Sequence, residues 1–376
     1  YYYADRDVWK WQRPNLFCTN EDLFTQTIVV PYLIPMLQNA GAIVFTPRER
    51  DCQTNEIVID NDDAVKSVYY FEKEASKRWK KCDSLGFANR YRLKDGENPF
   101  RMGTVRQAKA TKRKKTSQVS YQPRFKEAGK YAVYVSYQSL PKSVSDARYI
   151  VYHKGEATEF SVNQRMGGGT WVYLGTFDFD KGCNEFNRVV CTNKASRRGV
   201  VTTDAVRFGG GMGNIERGGY TSGLPRCLEG ARYYAQWAGA PYKVYGGRKG
   251  ENDYADDINT RSLMTNWLGG GSVYMPAKNG KHVPIELSLA LHSDAGYNKD
   301  GKSTVGALAI CTTDYNDGIL NSGISRFTSK DFARALRDNL VTDLTAQFGE
   351  FGKRYLCAPH FPVKQLIHLI FFQELR

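Results

Sequence analysis

The chain has 376 residues, 41% hydrophobic and 24% charged, a balance that suits globular domains and a length that makes two cores the default. No run of about 18 apolar residues occurs, so no membrane-spanning segment is expected. The formal net charge is +14, which favours polyanionic partners such as nucleic acid or an acidic cell envelope. The most basic run, "KATKRKKTSQ" at 109–118, lacks the interleaved aromatics that base stacking requires. It reads as a solvated linker, and no nucleic-acid partner is expected. The eight cysteines, at 18, 52, 82, 183, 191, 227, 311 and 357, include no C-x-x-C pair, which argues against a structural zinc ribbon. The start, "YYYADRDVWKWQRPN", lacks the basic, apolar, small order of a signal peptide.

The first 70 residues read as helix then strand. "TNEDLFTQ" offers Thr19 or Asn20 as a cap followed by acidic residues. Leu23, Val30, Leu33, Ile34 and Leu37 form an apolar stripe, and Gly41 is placed to stop the helix. Pro31 and Pro35 fall inside it and should kink it. "AIVFT" then reads as a buried strand.

Residues 116–212 read as strands throughout. "KYAVYVSYQ", "ARYIVYHKG", "TEFSVNQ", "WVYLGTFDF", "NRVVCTN" and "GVVTTDAVRFGG" follow at short intervals, separated by turn residues. That spacing predicts a β-sandwich or jelly roll. Its aromatics, including Tyr131, Tyr134, Tyr137, Trp171 and Tyr173, alternate along the strands. They suit core packing; the alternative is a glycan-stacking face, for which Trp171 and Tyr173 are the candidates.

Residues 213–376 alternate again. "CLEGARYYAQWAG" reads as a helix ending at Gly239, and "NDYADDINTRSLMTNWLGGG" as a second. "PIELSLALHSDAG" is a strand that delivers His292 and Asp294 to its carboxyl end, where open α/β sheets bind ligands. "VGALAICTT" is a further strand. "SKDFARALRDNLVTDLTAQFG" is a helix capped by Ser329, with Phe332, Leu336, Leu340 and Leu344 on one face. The expected architecture is α/β: an open twisted sheet flanked by helices, built from residues 1–115 and 213–376, interrupted by an all-β sandwich or jelly roll at 116–212. From the residues alone, His292 stays open between a structural histidine and a metal ligand.

Four of these stretches resemble the zinc-dependent N-acetylmuramoyl-L-alanine amidases. "ELSLALHSDAG" looks like the strand that ends in a zinc-binding His, and "LIPMLQNAGAIVFTPRERD" like the helix, strand and Thr-Arg-x-x-Asp element. "TNEDLFTQ" resembles the helix start that carries a zinc-binding Glu, and "NDYADDINTR" the helix ending in an Arg. The resemblance implies a Zn2+ site with Glu21 and His292 as two ligands, Asp294 and Arg261 in support, and Glu374 as the base. The family's first His precedes the Glu helix, whereas no His here precedes His153, so the resemblance implies a chain truncated at its N-terminus. The end, "FPVKQLIHLIFFQELR", matches the family loosely. "YQPRFKEAGKYAVYVSYQ", "VNQRMGGGTWVYLGTFDF" and "VTTDAVRFGGG" are similar to golvesin C-terminal-like domains, found inserted in amidases of Bacteroidetes-type bacteria, some labelled xanthan lyase. Together these imply a secreted or periplasmic hydrolase of the muramoyl–alanine amide in peptidoglycan. The alternatives are a polysaccharide lyase and a non-catalytic protein that binds envelope glycan.

Overall fold

The computed structural model describes residues 1–4, 8–15, 18–63, 69–75, 77–293 and 306–349, and the backbone of Lys353–Cys357 and Phe371–Phe372. The chain forms two compact units, one of residues 1–10 and 46–260, the other of residues 11–45 and 261–376.

The first unit is built on two facing antiparallel sheets. One runs Glu156–Val162, Ala147–His153, Arg188–Thr192, Gln118–Tyr121, Tyr70–Lys73; the other runs Val172–Phe179, Gly129–Val135, Ala205–Phe208, Ile57–Asp60. Alternation decides which side chains face inward. Val119, Tyr121, Tyr149, Val151 and Val189 from one sheet meet Tyr131, Val133, Val135, Phe179 and Phe208 from the other in a single core. Each fully buried valine there contributes about 1.5–3 kcal/mol. This is the sandwich that the strand spacing predicts.

Its boundaries differ from expectation. The strands Ile57–Asp60 and Tyr70–Lys73 join the two sheets, and Lys80–Gly86 and Gly103–Lys109 form a third with Val200–Thr203. All four precede residue 116. Two have only four residues and the other two mix charged and polar residues among few apolar ones, so their periodicity is weak in the sequence. The basic run at 112–115 is exposed, as a solvated segment should be, but it joins two strands of this unit rather than two domains. "GVVTTDAVRFGG" is two strands in different sheets, parted at Asp204, whose Oδ2 accepts the Phe87 N–H at 3.0 Å.

The core also holds charge. Arg207 is fully buried, donates from Nη1 to Glu49 Oε2 at 2.6 Å, and lies 3.8 Å from the centre of the Tyr134 ring. The Tyr134 hydroxyl donates to the other oxygen of Glu49.

In the second unit the predicted first helix forms as Glu21–Ile28 and Ile34–Asn39, joined by a π-turn over Val29–Leu33. The π-turn absorbs Pro31: the Ile34 N–H reaches back to Val29 O, a wider loop than an α-turn. Gly41, at φ +94°, closes the helix as expected. Its N–H bonds Gln38 O while the Ala42 N–H bonds Leu37 O. "AIVFT" forms no strand; residues 42–46 are irregular.

The strands Ala307–Cys311 and Lys353–Cys357 pair in parallel, and the helix Phe327–Phe348 connects them. That is a strand–helix–strand unit of the α/β kind. An open sheet of the amidase type is not seen among the described residues. The helix buries Ser329, Ala333 and Val341 rather than the predicted leucine face, on which Leu336 and Leu340 are exposed. Ala333 packs on Ala309 and Cys311, where small side chains let helix and strand approach. Ser329 lies inside the helix and is not its cap; Arg326 holds that position without a side-chain cap bond.

Candidate functional site

Asn20 sets the geometry of the first site. Its Oδ1 accepts the Leu23 N–H at 3.0 Å and starts the helix so that Glu21 is the first helical residue. A carboxylate there also meets the positive end of the helix dipole. Glu21 Oε1 lies 2.9 Å from His292 Nδ1 and accepts the Ser293 N–H at 3.0 Å. Glu21 Oε2 lies 3.6 Å from Arg13 Nε. Arg261 donates to Gln12 Oε1 at 3.0 Å and so steadies the residue beside Arg13.

The strand behind His292 is shorter than predicted, reduced to Leu287–Ser288 paired with Phe371–Phe372. The exposure alternates in the opposite sense to an apolar inward face: Leu287, Leu289 and Leu291 are each about 40% exposed, while Ser288, Ala290 and His292 are half-buried. Asp294 and Glu374 lie outside the described residues, as do His360 and His368.

Glu21 and His292 supply one oxygen and one ring nitrogen, both donor types that zinc takes, and they hydrogen-bond to each other at 2.9 Å. Their chemistry fits two zinc ligands. No cluster of three metal-binding side chains occurs among the described residues. His153 bonds Thr158 Oγ1 at 2.9 Å and packs on the Phe177 ring; His282 bonds Gly271 O at 3.0 Å.

A second site, in the sandwich unit, is a polar cleft of about 550 Å³ lined by Asn61, Asp62, Tyr70, Phe71, Glu72, Lys81, Thr104 and Arg106. Arg106 clamps Glu72 with two bonds, at 2.6 and 3.0 Å. The Tyr70 hydroxyl donates to Glu72 Oε1 at 2.7 Å. Burial, then the Glu72 bond, pushes the Tyr70 phenol up, so it stays a neutral donor. Phe71 is 36% exposed and offers a ring edge or face. The cleft thus joins carboxylates, an amide, a hydroxyl and an open ring. Sequence reasoning misses this cleft, because "YFEK" is too short to register as a strand.

Trp171 is corrected as a glycan-binding candidate. Trp171 is 4% exposed, with Phe87, Phe100 and Trp237 around its ring. Arg50 covers the ring of the half-buried Tyr173 at 4.2 Å. Trp171 is a packing residue, while Tyr173 keeps a partly open ring whose hydroxyl meets Thr176 Oγ1 at 2.9 Å. Tyr131, Tyr134 and Tyr137 are buried as well.

Residues 94–210 match the Golvesin C-terminal domain. The chain is also similar to the xanthan lyase of Bacillus sp. (strain GL1), at 34% identity over 97 residues, 25% of this chain and 10% of that protein. The chain therefore spans about a tenth of that relative's length. Among solved structures, Paenibacillus xanthan lyase aligns with 41% of this chain and 13% of its own, at 21% identity and a TM-score of 0.32. The C-terminal CBM6 of LamC from Zobellia galactanivorans aligns over 41% of this chain and 99% of its own, at 16% identity and a TM-score of 0.25. No described helix is long and apolar enough to cross a membrane.

Proposed function

We propose that this chain is a secreted or envelope protein directed at polysaccharide, and that its golvesin-type unit associates with glycan. The observations that carry this are the match of residues 94–210 to the Golvesin C-terminal domain and the 34% identity, over 97 residues of the chain, to a protein named for its action on xanthan. The polar cleft with its open Phe71 is the surface we assign to the sugar, since hydroxyl-rich ligands need paired donors and acceptors beside an apolar face. The test is co-sedimentation with peptidoglycan sacculi and depletion on immobilised xanthan, with Phe71→Ala and Glu72→Gln beside the parent chain. Retention of the parent and weaker retention of both variants supports the reading. Equal retention of all three, or none of any, removes it.

A second reading is favoured by the Glu21–His292 contact: hydrolysis of the amide between N-acetylmuramic acid and L-alanine in peptidoglycan. Glu21 and His292 would hold a zinc ion, with the third ligand outside the described residues. Bound zinc lowers the pKa of its water to about 7 and polarises a carbonyl. Arg13 and the Ser293 N–H fix the Glu21 carboxylate, and Arg261 holds the segment that carries Arg13. Glu374 is proposed as the group that moves the proton and Asp294 as a hydrogen-bonding partner near His292. A lyase would instead release an unsaturated, ultraviolet-absorbing sugar, so the products separate the two chemistries.

A further inference from the structure

We propose that Cys52 and Cys227 are a redox pair that closes to a disulfide in an oxidising compartment, fastening together the two segments that flank the golvesin-type region. One residue pins both neighbourhoods. The Gly211 N–H donates to Gln53 O at 2.8 Å, while Gly211 O accepts the Arg226 N–H at 2.9 Å. Arg226 also reaches Glu56 from Nη1 at 2.6 Å. Cys52 precedes Gln53 and Cys227 follows Arg226, so the two sulfurs are brought together by backbone that the fold holds firmly.

The two thiols hydrogen-bond to each other, with the Cys227 S–H as donor. That bond pulls the Cys52 thiol down to about 7 against the opposing effects of burial, Asp51 and Glu49. The same bond and burial push Cys227 up. Exposure divides the roles in the same way: Cys52 is exposed and Cys227 is 3% exposed. Cys191, by contrast, is fully buried with its thiol pushed up to about 12.

The oxidant is a small disulfide, RSSR. The Cys52 thiolate attacks one sulfur, a Cys52–SR bond forms, and RS⁻ leaves. Cys227 then attacks the Cys52 sulfur, the Cys52–Cys227 bond forms, and the second RS⁻ leaves. The two thiol protons end on the two released thiolates, so two cysteine thiols are oxidised and RSSR is reduced to two RSH. The sulfurs must close from hydrogen-bond contact to about 2.05 Å.

The whole chain is incubated with oxidised glutathione, alkylated, and digested without reductant for mass spectrometry. The expected product is a Cys52–Cys227 cross-linked peptide, two hydrogens lighter than the pair and lost on adding dithiothreitol. Cys227→Ser should stop at a stable glutathione adduct on Cys52. Cys52→Ser should leave Cys227 unmodified until the chain is denatured. The proposal is overturned if the parent chain keeps glutathione on Cys52, or if Cys52 and Cys227 are each recovered singly alkylated. The parent-chain result stands even where a variant does not fold.

Discussion

Glu21 and His292, 271 residues apart in the chain, meet with Oε1 and Nδ1 2.9 Å apart. The contact is assembled from a capped helix start and the end of a short strand, and a backbone N–H and an arginine complete the carboxylate's environment. Such a convergence joins two stretches that have no reason to meet for local structure alone. It is the feature on which the hydrolytic reading rests.

Arg13 orients Glu21 without being a ligand in this reading. Arg13→Ala should therefore weaken zinc affinity by about 10–100-fold while leaving the fold intact. Competition with a chromogenic chelator measures it. An unchanged affinity would separate Arg13 from the site.

Asp60 and Asp204 are buried in the sandwich unit. Burial, then the Asp204 charge, pushes Asp60 up to about 9, and burial pushes Asp204 up to about 8, against the ordinary 3.8. Between those limits the folded state holds protons that the unfolded state releases, so stability falls as pH rises. Denaturant titrations from pH 5 to pH 9 should show that fall. Each proton held only in the folded state is worth about 1.4 kcal/mol per pH unit. Asp204→Asn should flatten the slope. A slope of the opposite sign in the parent chain would contradict the assignment.

Arg207 is buried against Glu49 and Tyr134. Glu49→Ala should lower stability by about 3–5 kcal/mol, because it strips the closest partner from a buried guanidinium. The double change Glu49→Leu with Arg207→Met should cost much less than the single one. Equilibrium unfolding of the parent and the two variants tests this; a double variant that loses as much as Glu49→Ala or more would show that the charges do not depend on each other.

Two glycines in turns should respond differently to alanine. A Cβ on Gly168 would lie 2.2 Å from the Ser139 backbone nitrogen, so Gly168→Ala must displace main chain. At Gly182 nothing lies within 4 Å, but φ is +100°. Gly182→Ala should cost about 1 kcal/mol from backbone strain alone, and Gly168→Ala clearly more. Thermal midpoints of the two variants decide it.

The sandwich was legible where strands are long and alternate cleanly, as in "KYAVYVSYQ" and "ARYIVYHKG". It was illegible where Ile57–Asp60 and Tyr70–Lys73 supply only four residues each to a period of two. The helix at Glu21 could be read from its cap, and Gly41 from its position past the stripe. The fate of the prolines could not, because a π-turn depends on how neighbouring carbonyls are shared. Trp171 stayed open between core packing and a glycan face for the same reason: alternation tells that a ring lies on one face of a strand, not whether another layer covers that face. Leu336 and Leu340 show the reverse case, since a small-residue face won the contact with Ala309 and Cys311. The pairing of Glu21 with His292 was reached through resemblance to a family, and the polar cleft was not reached at all.

The most direct test of the Glu21–His292 reading is zinc content measured together with muropeptide release from sacculi. It compares the chain with Glu21→Ala and His292→Ala. The account predicts one zinc per chain and free stem peptides, both lost in each variant. A chain that binds sacculi with no zinc and frees no peptide, with both variants indistinguishable from it, would contradict the hydrolytic reading and leave glycan binding as the function.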